Sequence, residues 1–441
     1  MKNFGVNACL ALAALVVCID PTHGGGLHEN AQGEGVGIVD LMDFGAVGDG
    51  VSDDTAPVQR ALSLCSSQGL SCVVTTGKQF LIRGPLYIWG KAHLVGDKLQ
   101  GALIFDVHES PYLINVGLSG RQKLERAFSG TITGISFKVI GGEGGRLFFL
   151  WRTDGALIGD NHFDFGPFRY SATSSGNDND VVKNGFTNCI RKNITIAHNT
   201  IVAAADYDGS EGIGLGHFDG ALILANKVYG VGDDPIGIHF SKNIRILDND
   251  LSSVDGRIFV VNSQHVTIAN NRHERVRSPK DGRFYEGISL LYIGFETLEA
   301  NSYAAPTDIL VEQNTLYYPP GAIDKGAAIY LYGPRDVSVE KNKITNDSSD
   351  VHAAAVRVLP AVFSKRWNDP DSKDPASVAR VHDTAIVENR SEGAYPLGIG
   401  MTGNCDAYAG HVVVQGNVAP TYSFYCNNIS LSGNKSTQRG R

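Results

Sequence analysis

The chain has little of what would make it a nucleic-acid binder, a zinc protein or a membrane protein. Its 38 Lys and Arg stand against 46 Asp and Glu, a net charge of −8. It therefore has no basic excess with which to neutralise a phosphate backbone, and nucleic acid is not an expected partner. No CxxC pair and no His/Cys cluster marks a zinc site, so no metal ligands are expected from spacing. No long apolar run follows the N-terminus, which leaves the body without a membrane span. Helical spacing of apolar residues does not recur along the chain.

What is present is a repeated phrase: an aliphatic residue, two variable positions, then asparagine. It recurs as Ile158–Asn161, Ile196–Asn199, Ile223–Asn226, Ile246–Asn249, Ile268–Asn271, Val311–Asn314, Val339–Asn342, Ile386–Asn389, Val414–Asn417 and Leu431–Asn434. Intervals of 22 to 28 residues recur, broken by gaps of 38, 43 and 47. Such self-similarity marks a solenoid. Two positions before the phrase another aliphatic is common (Ile194, Ile244, Val266, Ile309, Val337, Val412, Ile429), which is the alternation of a half-buried strand. A helical repeat would not tolerate 52 glycines among so many β-branched residues. Asparagine accepts left-handed backbone angles, and its amide can bond the equivalent amide one coil away. The expected fold is all-β, a right-handed parallel β-helix (β-solenoid), its hand following from the preference of parallel crossovers.

Lys2, the apolar stretch Ala8 to Ile19 and the polar exit Asp20-Pro21 make residues 1–19 an expected secretory signal peptide. Residues 20–35 read as a flexible leader and 36–441 as one β-helix domain. A secreted location, extracellular or periplasmic, permits disulfides. Cys65 and Cys72 are spaced to staple a loop, Cys405 and Cys426 to join neighbouring coils, and Cys189 is left as a small buried hydrophobe.

Asp43-Phe44-Gly45-Ala46-Val47-Gly48-Asp49-Gly50-Val51-Ser52-Asp53-Asp54-Thr55 makes a tight turn and then a helix start. Asp53 or Asp54 caps the helix, Pro57 sits in its first turn, and Val58, Ala61, Leu62 and Cys65 form its apolar face. A short N-terminal helix of this kind covers the open end of a solenoid. The segment resembles the opening of the pectate-lyase-like β-helix superfamily, which includes polygalacturonases, lyases, epimerases and phage tailspikes. With the coils, the resemblance spans nearly all of the chain after its leader. It implies a polysaccharide as partner and leaves the reaction open.

Stepping back eight residues from the phrase aligns Leu215, Ile238, Val260 and Leu331 as inward positions, with Ile213, Ile236, Ile258 and Ile329 two earlier. Glu286-Gly287-Ile288-Ser289-Leu290 reads as the matching strand of the coil between. Gly214, Gly237 and Ser289 would then form a shallow groove floor, interrupted by Phe259 and followed by Tyr330. Just before these strands fall Glu211, then Asp233 and Asp234, then Asp255 and Arg257, on successive coils about 4.8 Å apart. Carboxylates so close cannot all ionise comfortably, so one is expected to hold a proton near neutrality. An uninterrupted strand would point Glu211 and Asp234 into the core, so the strands must begin after them.

Asp233-Asp234-Pro235-Ile236-Gly237-Ile238 resembles the Asp-Asp-Cys-x-Ala-Ile strand of polygalacturonases, with Pro235 for Cys. Glu211-Gly212 resembles the end of that family's Asn-Thr-Asp-Gly. The resemblance implies inverting hydrolysis of an acidic polysaccharide, with Asp234 as acid and Asp233 and Glu211 activating water. The chain departs from the family where Gly-His-Gly is expected and Asp255-Gly256-Arg257 stands, and it has no clear Arg-Ile-Lys. Arg257 suits the alternative, a polysaccharide lyase or uronate C5-epimerase, with Ca2+ held by Glu211, Asp233 and Asp234. Hydrolysis requires no cofactor. His239 serves either scheme as a substrate contact. A basic run after Arg272 reads as an inserted loop over 272–308, contributing Arg283, Tyr285 and Glu286, and a second insertion at 360–381 contributes Trp367. A non-catalytic glycan-binding β-helix is the third alternative.

Overall fold

The computed structural model describes residues 37–118, 126–142, 144–175, 191–203, 211–295, 306–363, 377–379, 381–401, 411–424 and 429–436. The signal, the leader, Cys189, Trp367, Cys405 and Cys426 lie outside the described residues.

Among the described residues, every coil but the first and the last lays down one strand in each of three sheets, and every coil-to-coil pairing in them is parallel, so that two sheets have 14 strands and the third has 12. The fold is the right-handed parallel β-helix. An antiparallel pair, Ala361–Phe363 with Ser377–Ala379, stands apart within the second expected insertion. Along many strands alternate residues are buried, as in Lys242–Leu247 where Ile244 and Ile246 point inward. Aligned aliphatics from all three sheets fill one continuous core.

The repeated asparagines sit at the turn from the first sheet to the second, and they form an unbroken ladder from Asn161 to Asn434. Asn249 Nδ2 donates to Asn271 Oδ1 at 2.9 Å, and Asn271 Nδ2 to Asn314 Oδ1 at 3.0 Å. The same oxygen accepts the preceding asparagine's backbone N–H, as from Asn249 N at 3.0 Å. Every ladder amide therefore has its hydrogen bonds made inside the protein, where an unmade one would be costly. The expectation that asparagine takes the left-handed conformation is corrected. The preceding residue does so, for example Asp160 (φ 55°), Ala225 (φ 51°) and Glu388 (φ 53°). The asparagine's own geometry is committed to the ladder.

The helix Thr55–Gln68 buries Pro57, Val58, Ala61, Leu62 and Cys65 over the end of the solenoid. Asp53 Oδ1 accepts the Thr55 N–H at 3.0 Å, while Asp54 accepts Val47 N–H at 2.7 Å and Gly48 N–H at 3.0 Å. Asp53 thus caps the helix and Asp54 closes the Gly-Asp-Gly turn. Cys65 and Cys72 are disulfide-bonded.

Candidate functional site

The acidic residues lie at the turn from the second sheet into the third. Third-sheet strands Ile213–Gly216, Ile236–His239 and Ile258–Val261 pair with Ile213 beside Ile236 and Ile236 beside Ile258. The strands do begin after Glu211 and Asp234. Three coils are laced together there. Gly212 N–H donates to Asp234 O at 2.9 Å, and Arg257 N–H donates to Asp234 Oδ1 at 3.0 Å. Gly256 is required at this turn, because a Cβ would stand 2.0 Å from Asp233 O. The next coil packs directly on the Asp233–Asp234 peptide.

Asp233 is exposed, Glu211 half-buried, and Asp234 only 6% exposed. Burial pushes the Asp234 carboxyl up to about 8, against the opposing pull of Arg257, with smaller upward contributions from Asp233 and Glu211. Asp255 is raised to about 7, again chiefly by burial, with Arg275 pulling it down and Asp233 pushing it up. One Asp255 oxygen is buried with no hydrogen-bond partner. The expected proton-holding carboxyl is present, but desolvation rather than mutual repulsion is its main cause. Asp255, read from sequence only as part of the register, joins it as a second.

Arg257 Nε lies 3.7 Å from Asp234 Oδ1. Its guanidinium rests 4.5 Å from the centre of Phe259 and 5.2 Å from that of Tyr292. His239 meets Phe259 edge to face at 5.4 Å, with Tyr292 and Tyr330 continuing the row. An aromatic ridge with a stacked cation therefore borders the acids. His239 folds back so that Nε2 stands 3.4 Å from where a Gly237 Cβ would be.

The coil that follows departs from expectation. Phe259 pairs with Tyr292 and Ile258 with Leu291, so the strand is Gly287–Gly294 and its outward member is Tyr292. Ser289 is fully buried rather than on a groove floor. Of the three expected small residues, Gly214 and Gly237 remain in the column, adjacent to each other. Glu286 falls five residues before the aligned leucine and pairs with Lys325 at 2.6 Å. Arg283 is 80% exposed beside Asp281, and Tyr285 donates to Asp281 at 2.8 Å. These three belong to a loop and do not join the carboxylates. Nor is Arg272–Arg275 a loop; it is a second-sheet strand paired with Asp250–Ser253. Arg275 is buried beneath the site, 3.2 Å from Asp324, and also bonds Gly256 O.

Among the described residues, no three His, Cys, Asp or Glu side chains converge closely enough to hold a metal ion. Glu211, Asp233 and Asp234 as placed do not make a calcium cage. Among the same residues no helix is long and apolar enough to cross a membrane.

No protein family and no curated protein sequence matches the chain. Solved structures do. The A-module of the mannuronan C-5 epimerase AlgE6 from Azotobacter vinelandii superposes with a TM-score of 0.63 at 13% identity, covering 91% of this chain and all of that one. The tailspike protein of Escherichia coli bacteriophage HK620, solved with a pentasaccharide, superposes with a TM-score of 0.50 at 11% identity, over 86% of this chain and 66% of that one. At such identities the likeness is one of fold alone, the right-handed parallel β-helix.

Proposed function

We propose that the chain is a secreted enzyme acting on an acidic polysaccharide laid across the third sheet at Glu211, Asp233, Asp234 and Arg257. The observation that carries this is the burial of Asp234 beside the exposed Asp233, a burial that pushes the Asp234 carboxyl up to about 8. A neutral acid next to an ionisable carboxylate is the pair that glycosidic cleavage needs. In the hydrolytic scheme Asp234 gives its proton to the departing glycosidic oxygen. Asp233 or Glu211 takes a proton from the attacking water, which adds to the anomeric carbon. The epimerase and tailspike likenesses agree with a glycan as ligand without choosing the reaction.

One observation favours a second scheme. A guanidinium stacked on Phe259 and Tyr292 and flanking a protonated carboxyl suits a sugar that carries its own carboxylate. Arg257 would neutralise that group while Asp233 or Glu211 takes the C5 proton. The electron pair then either forms the C4–C5 double bond and expels the C4 oxygen, which leaves with the Asp234 proton (β-elimination), or C5 is reprotonated by Asp234 from the opposite face (inversion at C5).

Incubation with polygalacturonate and with polymannuronate separates the schemes. New reducing ends without ultraviolet absorbance support hydrolysis, and the absorbance of an unsaturated uronate supports elimination. Altered uronate stereochemistry with no cleavage supports epimerisation. None of the three on any acidic glycan, by wild type, would remove the catalytic proposal.

A further inference from the structure

Earlier coils of the same sheet carry a second feature that the acid cluster does not use. Strands Leu86–Ile88, Tyr112–Val116 and Gly145–Leu150 pair so that Tyr87, Asn115 and Phe149 stand in one outward column. Beside this column, Tyr112 and Trp151 join Phe149 in an aromatic group. Ring centres are 4.0 Å apart for Tyr112 and Phe149, and 4.6 Å for Phe149 and Trp151. Trp151 Nε1 donates to Asn115 Oδ1 at 2.9 Å, which fixes the orientation of the indole. Gly117 sits in register between Ile88's successor and Trp151, at φ 77°. Any Cβ there would strike Arg152 O at 2.2 Å, so no side chain fills the space beside the indole. The result is an open cleft of about 170 Å3 lined by Tyr87, Tyr112, Trp151, Ser110 and Asn115. That is smaller than the range of about 300–1,000 Å3 usual for whole small-ligand sites, so the cleft has room for a single ring rather than a longer ligand.

We infer that this cleft is a distal subsite for one pyranose ring of the same polysaccharide. The inference rests on the reading of the acid cluster as a glycan site. An aromatic face bears partial negative charge and attracts the C–H groups on the apolar face of a sugar ring. A fixed indole loses little freedom on binding. Polar atoms at the rim suit the ring's equatorial hydroxyls. Position carries the argument further. Asn115 pairs with Phe149, Phe149 with Ser174, and Thr173 with Ile213, whose neighbour Gly214 pairs with Gly237. Two to four coil steps thus separate the cleft from the acids, roughly 10–19 Å along the solenoid at about 4.8 Å per coil. The column between them, Ser174, Gly214 and Gly237, carries no bulky side chain. A chain of several sugar rings would reach from one to the other.

The test is affinity gel electrophoresis on polygalacturonate, polymannuronate and dextran, using wild type, the double variant Trp151→Ala/Tyr112→Ala, Trp151→Phe and Asp234→Asn. The expected result is retardation of wild type by an acidic glycan, about tenfold weaker binding by the double variant, and most of the binding kept by Trp151→Phe. Melting temperatures of all variants are compared so that loss of fold is not read as loss of binding. Retardation of the double variant equal to wild type overturns the subsite, as does absence of retardation of wild type by all three glycans. Failure of the acid-cluster proposal is seen separately: Asp234→Asn would then turn over substrate as wild type does, whatever the aromatic variants show.

Discussion

Asp234 Oδ1 accepts the backbone N–H of Arg257 at 3.0 Å from the neighbouring coil, and the Arg257 Nε lies 3.7 Å from the same oxygen. One oxygen thus fixes the turn that bears the arginine, while burial keeps the carboxyl protonated. Asp234→Asn retains an acceptor for the N–H but has no proton to give. It should lower kcat about 100-fold or more, the usual worth of a general acid, and should unfold no more easily than wild type at neutral pH, since it has no proton to lose. Asp234→Ala also strands the buried N–H and should unfold more easily than Asp234→Asn by about 1–3 kcal/mol. Steady-state kinetics beside melting curves distinguish the two, and an Asp234→Asn enzyme with wild-type kcat would remove the acid from the scheme.

The raised Asp234 value also makes stability depend on pH. Between the ordinary 3.8 and about 8 the folded protein keeps a proton that the unfolded chain has released. Stability should therefore be greatest at the acid end of this window for this group. It should fall by up to about 1.4 kcal/mol per pH unit as pH rises, and level off above about 8. Asp234→Asn should flatten that slope. Urea unfolding midpoints measured from about pH 5 to about pH 9 give the answer; equal slopes for the two proteins would show that Asp234 is not the group. The same deprotonation should cost activity, with kcat declining above about pH 8.

Arg257 tests whether a sugar carboxylate is recognised. Its guanidinium is held over Phe259 and Tyr292, where the shorter ammonium of lysine could not make the same planar contact. Arg257→Ala should raise KM for an acidic polysaccharide about tenfold or more, and Arg257→Lys somewhat less. The methyl-esterified form of the same polysaccharide should show a much smaller change. An equal loss on both forms would assign Arg257 to packing of the turn instead.

How far such a site can be read from sequence depends on how well the repeat holds as a ruler. Between Asn226 and Asn271 no insertion intervenes, and Glu211, Asp234 and Arg257 fall where spacing places them. The ruler fails at the next coil, because the segment after Asn271 is longer and Glu286-Gly287-Ile288 alternates as convincingly as Leu291-Tyr292-Ile293. A bulge at Gly287 and Ser289 adds to the ambiguity. Arg275 was legible but its charge misled. His273 and Arg275 occupy the inward places of Leu251 and Ser253, so strict alternation would have buried them. Basic side chains ordinarily argue for a loop, and only a buried partner such as Asp324, far along the chain, overrides that preference. The dominance of burial in the Asp234 shift depends on packing, which no spacing reports.

Ladder position should govern the cost of losing an asparagine. Asn271 Nδ2 donates to Ile246 O and Asn314 Oδ1, and its oxygen accepts from Asn249. Asn271→Ala would leave several of these buried groups unpaired, at about 1–3 kcal/mol each before relaxation. Asn434, the last member, is less buried and bonds only backward to Asn417 and Val414. Asn434→Ala should cost less than half as much. Chemical denaturation of the two variants provides the comparison, and equal losses would mean that the ladder adds nothing beyond local turn geometry.

Beneath the site, Arg275 and Asp324 form an ion pair with no exposure to solvent, and Tyr318 donates to Asp324 at 3.0 Å. Arg275 also bonds Ser289 O and the carbonyl of Gly256, the residue between Asp255 and Arg257. Removing one partner strands the other charge away from water, so Arg275→Met and Asp324→Leu should each cost about 3–5 kcal/mol. Replacing both together should recover much of that loss, since two apolar side chains need no partner. The double variant would fold yet lack the cation that opposes the upward shift of Asp255. Its Asp255 carboxyl should then hold a proton to higher pH than in wild type, where the value is about 7. Carboxyl titration by nuclear magnetic resonance in wild type and the double variant measures this shift. An unmoved Asp255 in a folded double variant would confine Arg275 to bracing the Gly256 turn, with no electrostatic part in the site.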